Sequence, residues 1–312
     1  RHPSKVISLP HVILSGACSV AASCHDYVRA SSHATLQGFF GRFTPSGGHY
    51  VELQRLNMEH KLKKYLRTET LPTPFCPGCG HGILMTNILR AIDELELDFR
   101  NMLFVSGIGC AGWIPSPHYK ADTLHVTHGR PIAFATGAKL FNPKLKVMVI
   151  SGDGDLASIG GNHLIHAARR DTDITVICAN NEIYGMTGGQ VSCTTGEGTY
   201  TSTTMGGNPE RPFDLCRLVE AAGAGYVARS SVMHTRPLIN YIKKALCHRG
   251  FSFIDVLSPC PTHYGRKEDR PSPPEILRDL MKRCITRKKA EDSPPETIEG
   301  KIIIGEFVYR KQ

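Results

Sequence analysis

The 312-residue sequence predicts an α/β fold, a parallel sheet with helices on both faces. Two apolar runs, Val147-Met148-Val149-Ile150 and Ile174-Thr175-Val176-Ile177-Cys178, flank a segment of helical spacing. They read as a β-α-β unit, whose strands must run parallel. Strand-like and helix-like segments alternate from about residue 74 to 257, the pattern of a sheet covered on both sides. Each run ends in a polar turn, Ser151-Gly152-Asp153-Gly154-Asp155 after the first and Asn180-Asn181 after the second. Both turns then lie at one carboxyl edge, where open α/β sheets bind their ligands.

Residues 1–57 are rich in Ser, His and Gly and lack sustained periodicity, so a dispensable disordered extension is expected there, with an ordered domain over 58–265. Within it, Gly80 to Leu95 carries apolar residues at helical spacing, and Met102 to Ser106 reads as a short buried strand. Leu124 to Thr127 follows as a strand, and Pro131 opens an Ala- and Gly-rich helix to Phe141 in the place a helix favours for proline. Next come strand 147–151, helix 157–170, strand 174–179, helices 214–222 and 235–247, and a last strand from Phe253 to Leu257. Residues 266–312, Pro-rich and charged, are expected to form an appendage with a helix at 276–283 and a strand-like Lys301 to Gly305.

An apolar fraction of 41% is that of a soluble globular chain with a sizeable core. The net charge of +9 is scattered and concentrates near Arg278, Lys282, Arg283, Arg287, Lys288 and Lys289, which reads as a solvated helix face. No basic stripe with interleaved aromatics points to nucleic acid, and no apolar run has the length of a membrane span. A small acidic electron carrier suits the charge as a partner. The 11 cysteines are odd in number and no secretory leader is seen, so a reduced cytoplasmic setting is expected, with some thiols binding metal.

The two carboxyl-edge turns set a carboxylate beside a carboxamide, with glycines allowing close backbone approach. Such a set suits Mg²⁺ carrying a diphosphate, because that ion takes six oxygens and is held by few protein groups plus phosphate. The rival is a dinucleotide site, since Gly152-x-Gly154-x-x-Ala157 fits the relaxed fingerprint. Its acid should stand after the second strand, yet Asp173 precedes that strand. Cys76-Pro77-Gly78-Cys79-Gly80-His81 is a metal-binding knuckle without a second Cys-x-x-Cys. Cys110 and Cys260 each follow a strand and so emerge at the same edge as Asp153 and Asn181. A [4Fe-4S] cluster, structural zinc and a redox dithiol all remain open on spacing, with the cluster preferred. Cys178 reads as packing inside a strand, whereas Cys193 competes for the fourth ligand place. His125 and His128, with Arg130 before a helix start, read as a phosphate or carboxylate site, or as histidines bonded to backbone.

Taken together, these motifs and Asn180-Asn181-x-Ile183-Tyr184-Gly185-Met186-Thr187-Gly188-Gly189-Gln190 resemble the β subunits of 2-oxoacid:ferredoxin oxidoreductases, with the 2-oxoglutarate type most similar. The resemblance spans about 60 to 265 and Gly300 to Val308, and it implies the pyrophosphate-type thiamine diphosphate-binding fold. It implies that Asp153, Asn181 and the Ile183 carbonyl ligate Mg²⁺, and that Cys76, Cys79, Cys110 and Cys260 hold a [4Fe-4S] cluster. Gly78, His81, His128, Gly129, Arg130, Gly152, Gly154, Asp155, Tyr184, Gly185, Met186 and Thr187 would complete the thiamine diphosphate site. The implied reaction is oxidative decarboxylation of a 2-oxoacid with coenzyme A, giving acyl-CoA, CO₂ and reduced ferredoxin; pyruvate is the next substrate expected. The Glu that activates the cofactor is expected on a separate α subunit, with γ and δ subunits as further partners. The chain departs from family habit at Cys193, where Pro is common, and lacks the Lys that some members carry near Trp113 or Gly188. A non-redox thiamine lyase subunit and a zinc-bound interaction module are the alternatives.

Overall fold

A computed structural model describes residues 61–265 and 272–310, so the expected extension over 1–57 lies outside the described residues. The chain enters the domain through a 3-10 turn and forms α1 (His81–Glu94), β1 (Met102–Ser106), β2 (Asp122–His125) and α2 (Pro131–Phe141). Next are β3 (Lys146–Gly152), a π-helical turn (Gly154–Ile159), α3 (Gly161–Arg169) and β4 (Thr175–Asn180). A small hairpin, β5 (Ile183–Tyr184) with β6 (Gln190–Val191), precedes α4 (Leu215–Ala221), β7 (Tyr226–Ser231), α5 (Thr235–Cys247) and β8 (Ser252–Leu257). The described tail adds α6 (Pro273–Arg283), β9 (Cys284–Thr286), α7 (Arg287–Glu291), α8 (Pro295–Ile298) and β10 (Ile302–Tyr309).

The main sheet has eight strands in the order β2-β1-β3-β4-β8-β7-β10-β9. All neighbours are parallel except β10, which runs antiparallel to β7. Alternate residues of each strand feed two cores, as the period of two requires. Phe104, Met148, Ile150, Ile177 and Ile254 pack with Leu84, Ile88, Leu238 and Ile242 of α1 and α5. Val105, Val147, Val149, Val176 and Phe253 face the other way, against Ile132 of α2, Leu164 of α3 and Val219 of α4. Burial of each such side chain contributes about 1.5–3 kcal/mol, so the covered sheet forms a rigid platform for its loops.

Several expectations shift. The second strand lies at Asp122–His125, two residues earlier than expected, because it pairs with β1 from Leu103↔Asp122 onward. The helix expected over 157–170 begins as the π turn, in which the Gly160 N–H reaches the Asp155 carbonyl at 3.0 Å. Single π turns of this kind gather at functional sites. Tyr226–Ser231 was not expected as a strand, since Arg229, Ser230 and Ser231 hide its apolar pattern. The segment expected as an appendage carries a strand of the main sheet, with β10 bonded to β7 and Leu277 and Leu280 of α6 in the first core. Part of its charge run also serves structure: Arg287 donates to the Glu306 and Phe307 carbonyls, both at 3.1 Å.

Candidate functional site

Four strands, β1, β3, β4 and β8, deliver their carboxyl ends side by side. A cavity there of about 60 Å³ is lined by His81, Cys110, His128, Gly152, Asp153, Gly154, Asp155, Asn181, Ile183, Tyr184, Gly185, Met186 and Thr187, with Ile108, Gly109 and Ala111. A second cavity of about 260 Å³ adjoins it and is lined by Cys76, Cys79, Cys110 and Cys260, together with Phe75, Trp113 and His263 among others. His81, Cys110, Asn181, Gly185 and Met186 line both. Gly78, Gly129 and Arg130 line neither. Gly78 backs onto the tail helix, where a Cβ would fall 2.1 Å from Pro273, and Arg130 turns back onto the Gly129 carbonyl at 3.1 Å.

Asp153, only 1% exposed, is held by an N–H and two hydroxyls. Its Oδ1 accepts from the Asn181 N–H at 3.2 Å, and its Oδ2 accepts from Thr194 Oγ1 at 2.7 Å and from Ser192. Burial pushes its carboxyl above the usual range, against these hydrogen bonds. No Lys, Arg or His makes an ion pair with it among the described residues. A desolvated carboxylate without a counter-charge fits a bound cation. Asn181 Oδ1 accepts from the Ile183 N–H at 3.2 Å, and this local turn sets the start of the β5–β6 hairpin.

Asp155 lines the first cavity and also braces the strand ends behind it. Its carboxylate accepts from the Gly129 N–H at 2.7 Å, Ser151 Oγ at 2.7 Å and the Ile108 N–H at 3.3 Å, and it also meets His128 Nδ1. These bonds tie the ends of β1, β2 and β3 together. Gly107 makes that approach possible, since a Cβ there would lie 2.0 Å from Asp155 Oδ2. Strand β3 brings the Asp155 carboxylate to His128. His125 lies apart, 3.3 Å from Ser106 Oγ and against the edge of Trp113.

The thiols converge because the knuckle is anchored to the loop after β8: the Gly80 N–H meets the Pro259 carbonyl at 3.5 Å, and His81 Nδ1 lies 2.7 Å from Ser258 Oγ. A Cβ built on Gly185 would stand 3.4 Å from Cys260 Sγ and 3.9 Å from Cys110 Sγ, which places both sulfurs beside the β5–β6 hairpin. The His263 N–H points at Cys260 Sγ at 3.4 Å, the kind of contact that tunes iron–sulfur ligands. Burial, then neighbouring thiols, pushes Cys110 up to about 11 and Cys79 higher still. Among the described residues no three His, Cys, Asp or Glu side chains gather closely enough for a single ion. Cys193 lines neither cavity; its N–H meets Ser158 Oγ at 3.2 Å, while Cys178 is buried within β4.

Sequence reasoning missed Ser192 and Thr194, whose hydroxyls reach Asp153 from the loop after β6, and Ser258, the partner of His81. Two hydroxyl residues flanking Cys193 were a visible signal, but nothing local placed that loop beside β3. His81 is fully buried, and desolvation holds its imidazole down at about 4. Its native pKa is below the ordinary 6.5, so the unfolded chain takes up a proton first as pH falls. The contribution is present above pH 6.5 and lost down to about 4, by about 3 kcal/mol at most. Melting temperature should therefore fall more steeply between pH 7 and 4.5 in the unsubstituted protein than in His81→Gln. Equal slopes would remove His81 from the acid response.

The family described as thiamine pyrophosphate enzyme, C-terminal TPP binding domain, matches residues 107–256, which supply the lining of the first cavity apart from His81. The chain is 54% identical over 254 residues to the 2-oxoglutarate synthase subunit KorB of Methanothermobacter thermautotrophicus, covering 81% of this chain and 88% of that protein. It belongs to the 2-oxoacid:ferredoxin oxidoreductase β subunits. A further β subunit of this family, the 2-oxoacid:ferredoxin oxidoreductase subunit beta of Saccharolobus solfataricus, is 43% identical over 192 residues, covering 61% of this chain and 62% of the other. The structure of a 2-oxoglutarate:ferredoxin oxidoreductase from Magnetococcus marinus, with 2-oxoglutarate, coenzyme A and succinyl-CoA bound, superposes with a TM-score of 0.71 at 31% identity, covering 82% of this chain and 86% of that one. As a β subunit of this family, the chain is one part of a multi-subunit oxidoreductase with a thiamine diphosphate-binding domain. No helix among the described residues is long and apolar enough to cross a membrane.

Proposed function

We propose that the first cavity binds thiamine diphosphate through Mg²⁺ held by Asp153, Asn181 and the Ile183 carbonyl, and that Cys76, Cys79, Cys110 and Cys260 hold a [4Fe-4S] cluster in the second. The assembled enzyme then converts a 2-oxoacid, 2-oxoglutarate first, and coenzyme A into acyl-CoA and CO₂, passing two electrons singly to ferredoxin. Thiamine diphosphate, when bound, supplies a nucleophilic carbon for the 2-oxo group and a sink for the electrons left by CO₂. The observation that carries this reading is the shared wall of the two cavities. His81, Cys110, Asn181, Gly185 and Met186 face both, so a reducing centre and an electron acceptor would sit on either side of single residues.

This chain's own residues bind, orient and separate. Asp153 supplies charge to the metal, the Asp155 bonds brace the strand ends, and buried His81 is neutral at pH 7 in the dividing wall. Glu182, the carboxylate nearest in sequence, lines a third cavity with Tyr264 and Arg283 rather than the first. The activating Glu, which the family resemblance puts on a separate chain, is assigned to the α subunit. On α2, Leu140 is 75% and Phe141 93% exposed, and Phe134 is half-exposed, an apolar face suited to a partner chain.

The chain alone should be silent with 2-oxoglutarate, coenzyme A and a viologen dye, and should reduce the dye once the cognate α subunit is added. Robust reduction by the chain alone would overturn the half-site reading. Anaerobic purification should give a brown protein containing iron and sulfide; zinc in their place would favour an interaction module, and thiamine diphosphate without iron a non-redox lyase.

A further inference from the structure

Asn180 ends β4 one residue before Asn181, and its side chain is buried. Its Nδ2 donates to Asp255 Oδ1 at 3.1 Å, while its Oδ1 accepts from the Glu182 N–H at 3.2 Å and lies 3.1 Å from Thr194 Oγ1, whose single proton is shared between this oxygen and the Asp153 carboxylate. Thr194 Oγ1 is also 2.7 Å from Asp153 Oδ2. Away from the cavity, Asp255 Oδ2 accepts from Arg229 Nε at 2.8 Å, and Arg229 Nη2 reaches the Asp214 carboxylate. Arg229 and Asp255 are register partners on β7 and β8, and Asp255 pairs in turn with Cys178 on β4. A continuous chain thus runs from buried Asp153 through Thr194, Asn180 and Asp255 to Arg229 and on to the half-exposed Asp214.

The direction of this chain is set by chemistry. A guanidinium can only donate and a carboxylate only accept, so Asp255 must take a proton donor from each side. The amide of Asn180 is then forced to turn its NH₂ toward Asp255. Its oxygen is left facing the Glu182 N–H and the Thr194 hydroxyl, the two groups that carry the Asn181 turn and the support of Asp153. A buried polar group with every neighbour fixed has one low-energy orientation, and flipping it would set NH₂ against N–H and oxygen against carboxylate.

We propose that Asn180 is a positioning residue for the metal–diphosphate site, its carboxamide locked by the Arg229–Asp255 pair so that it holds the Asn181 turn and the Thr194 hydroxyl in register with Asp153. This inference rests on the Mg²⁺–diphosphate reading above. It extends that site through the sheet to β7, strands away from any metal ligand.

The test titrates Mg²⁺ against thiamine diphosphate binding by calorimetry on the assembled enzyme, with melting temperatures taken in Mg²⁺-free buffer. Asn180→Asp keeps the side-chain shape but opposes two carboxylates, and should weaken Mg²⁺ affinity by about tenfold or more, as outer-shell losses do. The double variant N180D/D255N restores a donor facing an acceptor with the polarity reversed and the net charge unchanged. It should recover most of that loss. A residue serving only the fold would lower the Mg²⁺-free melting temperature while leaving the Mg²⁺ dependence intact. Unchanged Mg²⁺ affinity in N180D, or a double variant as weak as the single, overturns the proposal. If N180D does not fold, Asp255→Asn alone takes its place, with weakened affinity expected and unchanged affinity overturning. Thiamine diphosphate binding that needs no Mg²⁺ in the unsubstituted enzyme would defeat the metal reading and this inference together. Normal Mg²⁺ dependence with an unaffected N180D would defeat this inference alone.

Discussion

Asp153→Ala is expected to abolish Mg²⁺-dependent thiamine diphosphate binding in the assembled enzyme. The variant removes a charged group proposed to touch the metal itself, so the loss should exceed the roughly ten- to hundredfold typical of outer-shell changes. The same carboxylate is a burden when no cation is bound. Its native pKa is raised above the ordinary 3.8 by burial, so the folded state holds its proton more tightly than the unfolded chain does. Cation-free stability attributable to Asp153 therefore falls as pH rises from 3.8 through the raised native value, the reverse of a salt-bridged carboxylate. Asp153→Asn should melt no lower than the unsubstituted protein in chelator at pH 7, while losing the gain that Mg²⁺ and thiamine diphosphate confer. Calorimetric affinity equal to that of the unsubstituted enzyme would sink the assignment. So would a chelator-treated Asp153→Asn protein that is strongly destabilised, because it would show the carboxylate to be needed for the fold.

Cys260→Ser is expected to remove most of the iron and sulfide from anaerobically purified protein and to raise its oxygen sensitivity. Cys260 lines the same cavity as Cys76, Cys79 and Cys110, and its sulfur receives the His263 N–H. Serine keeps the volume but offers a poor ligand to iron, which favours thiolate. Cys193→Ser and Cys178→Ser should retain iron, since one thiol lies beside Ser158 outside both cavities and the other is sealed in β4. Full iron in Cys260→Ser combined with loss in Cys193→Ser would reassign the fourth ligand. The experiment is decisive because Cys193 was the rival that spacing alone left open.

The local sequence determined the elements whose signals are local. The apolar runs ending at Ile150 and Cys178, the helical spacing of 81–94 and 235–247, and the proline that starts α2 each recur in the fold within a residue or two. The parallel order of β3 and β4 followed from the helix between them, and it sufficed to put Asp153 and Asn181 at one edge. The motif glycines were equally legible, because close backbone approach demands a missing side chain wherever it occurs. Even so, the sequence could not tell which close approach each glycine served. Gly107 yields to Asp155, while Gly78 yields to Pro273 and lines neither cavity.

Only the tertiary structure decided which polar groups meet. Asp155 bonds to backbone and side chains from the ends of β1, β2 and β3, and no spacing announces that its oxygens are already taken. Ser192 and Thr194 reach Asp153 from 39 and 41 residues away, and Asn180 reaches Asp255 across 75. Strand β7 was hidden because Arg229 supplies the buried positive charge that Asp255 and Asp214 require, so its polarity mimics a loop. Periodicity records how a segment meets its own core. A hydrogen-bond partner or a buried counter-charge is chosen by the path of the whole chain, and that is why the edge was readable while the network behind it was not.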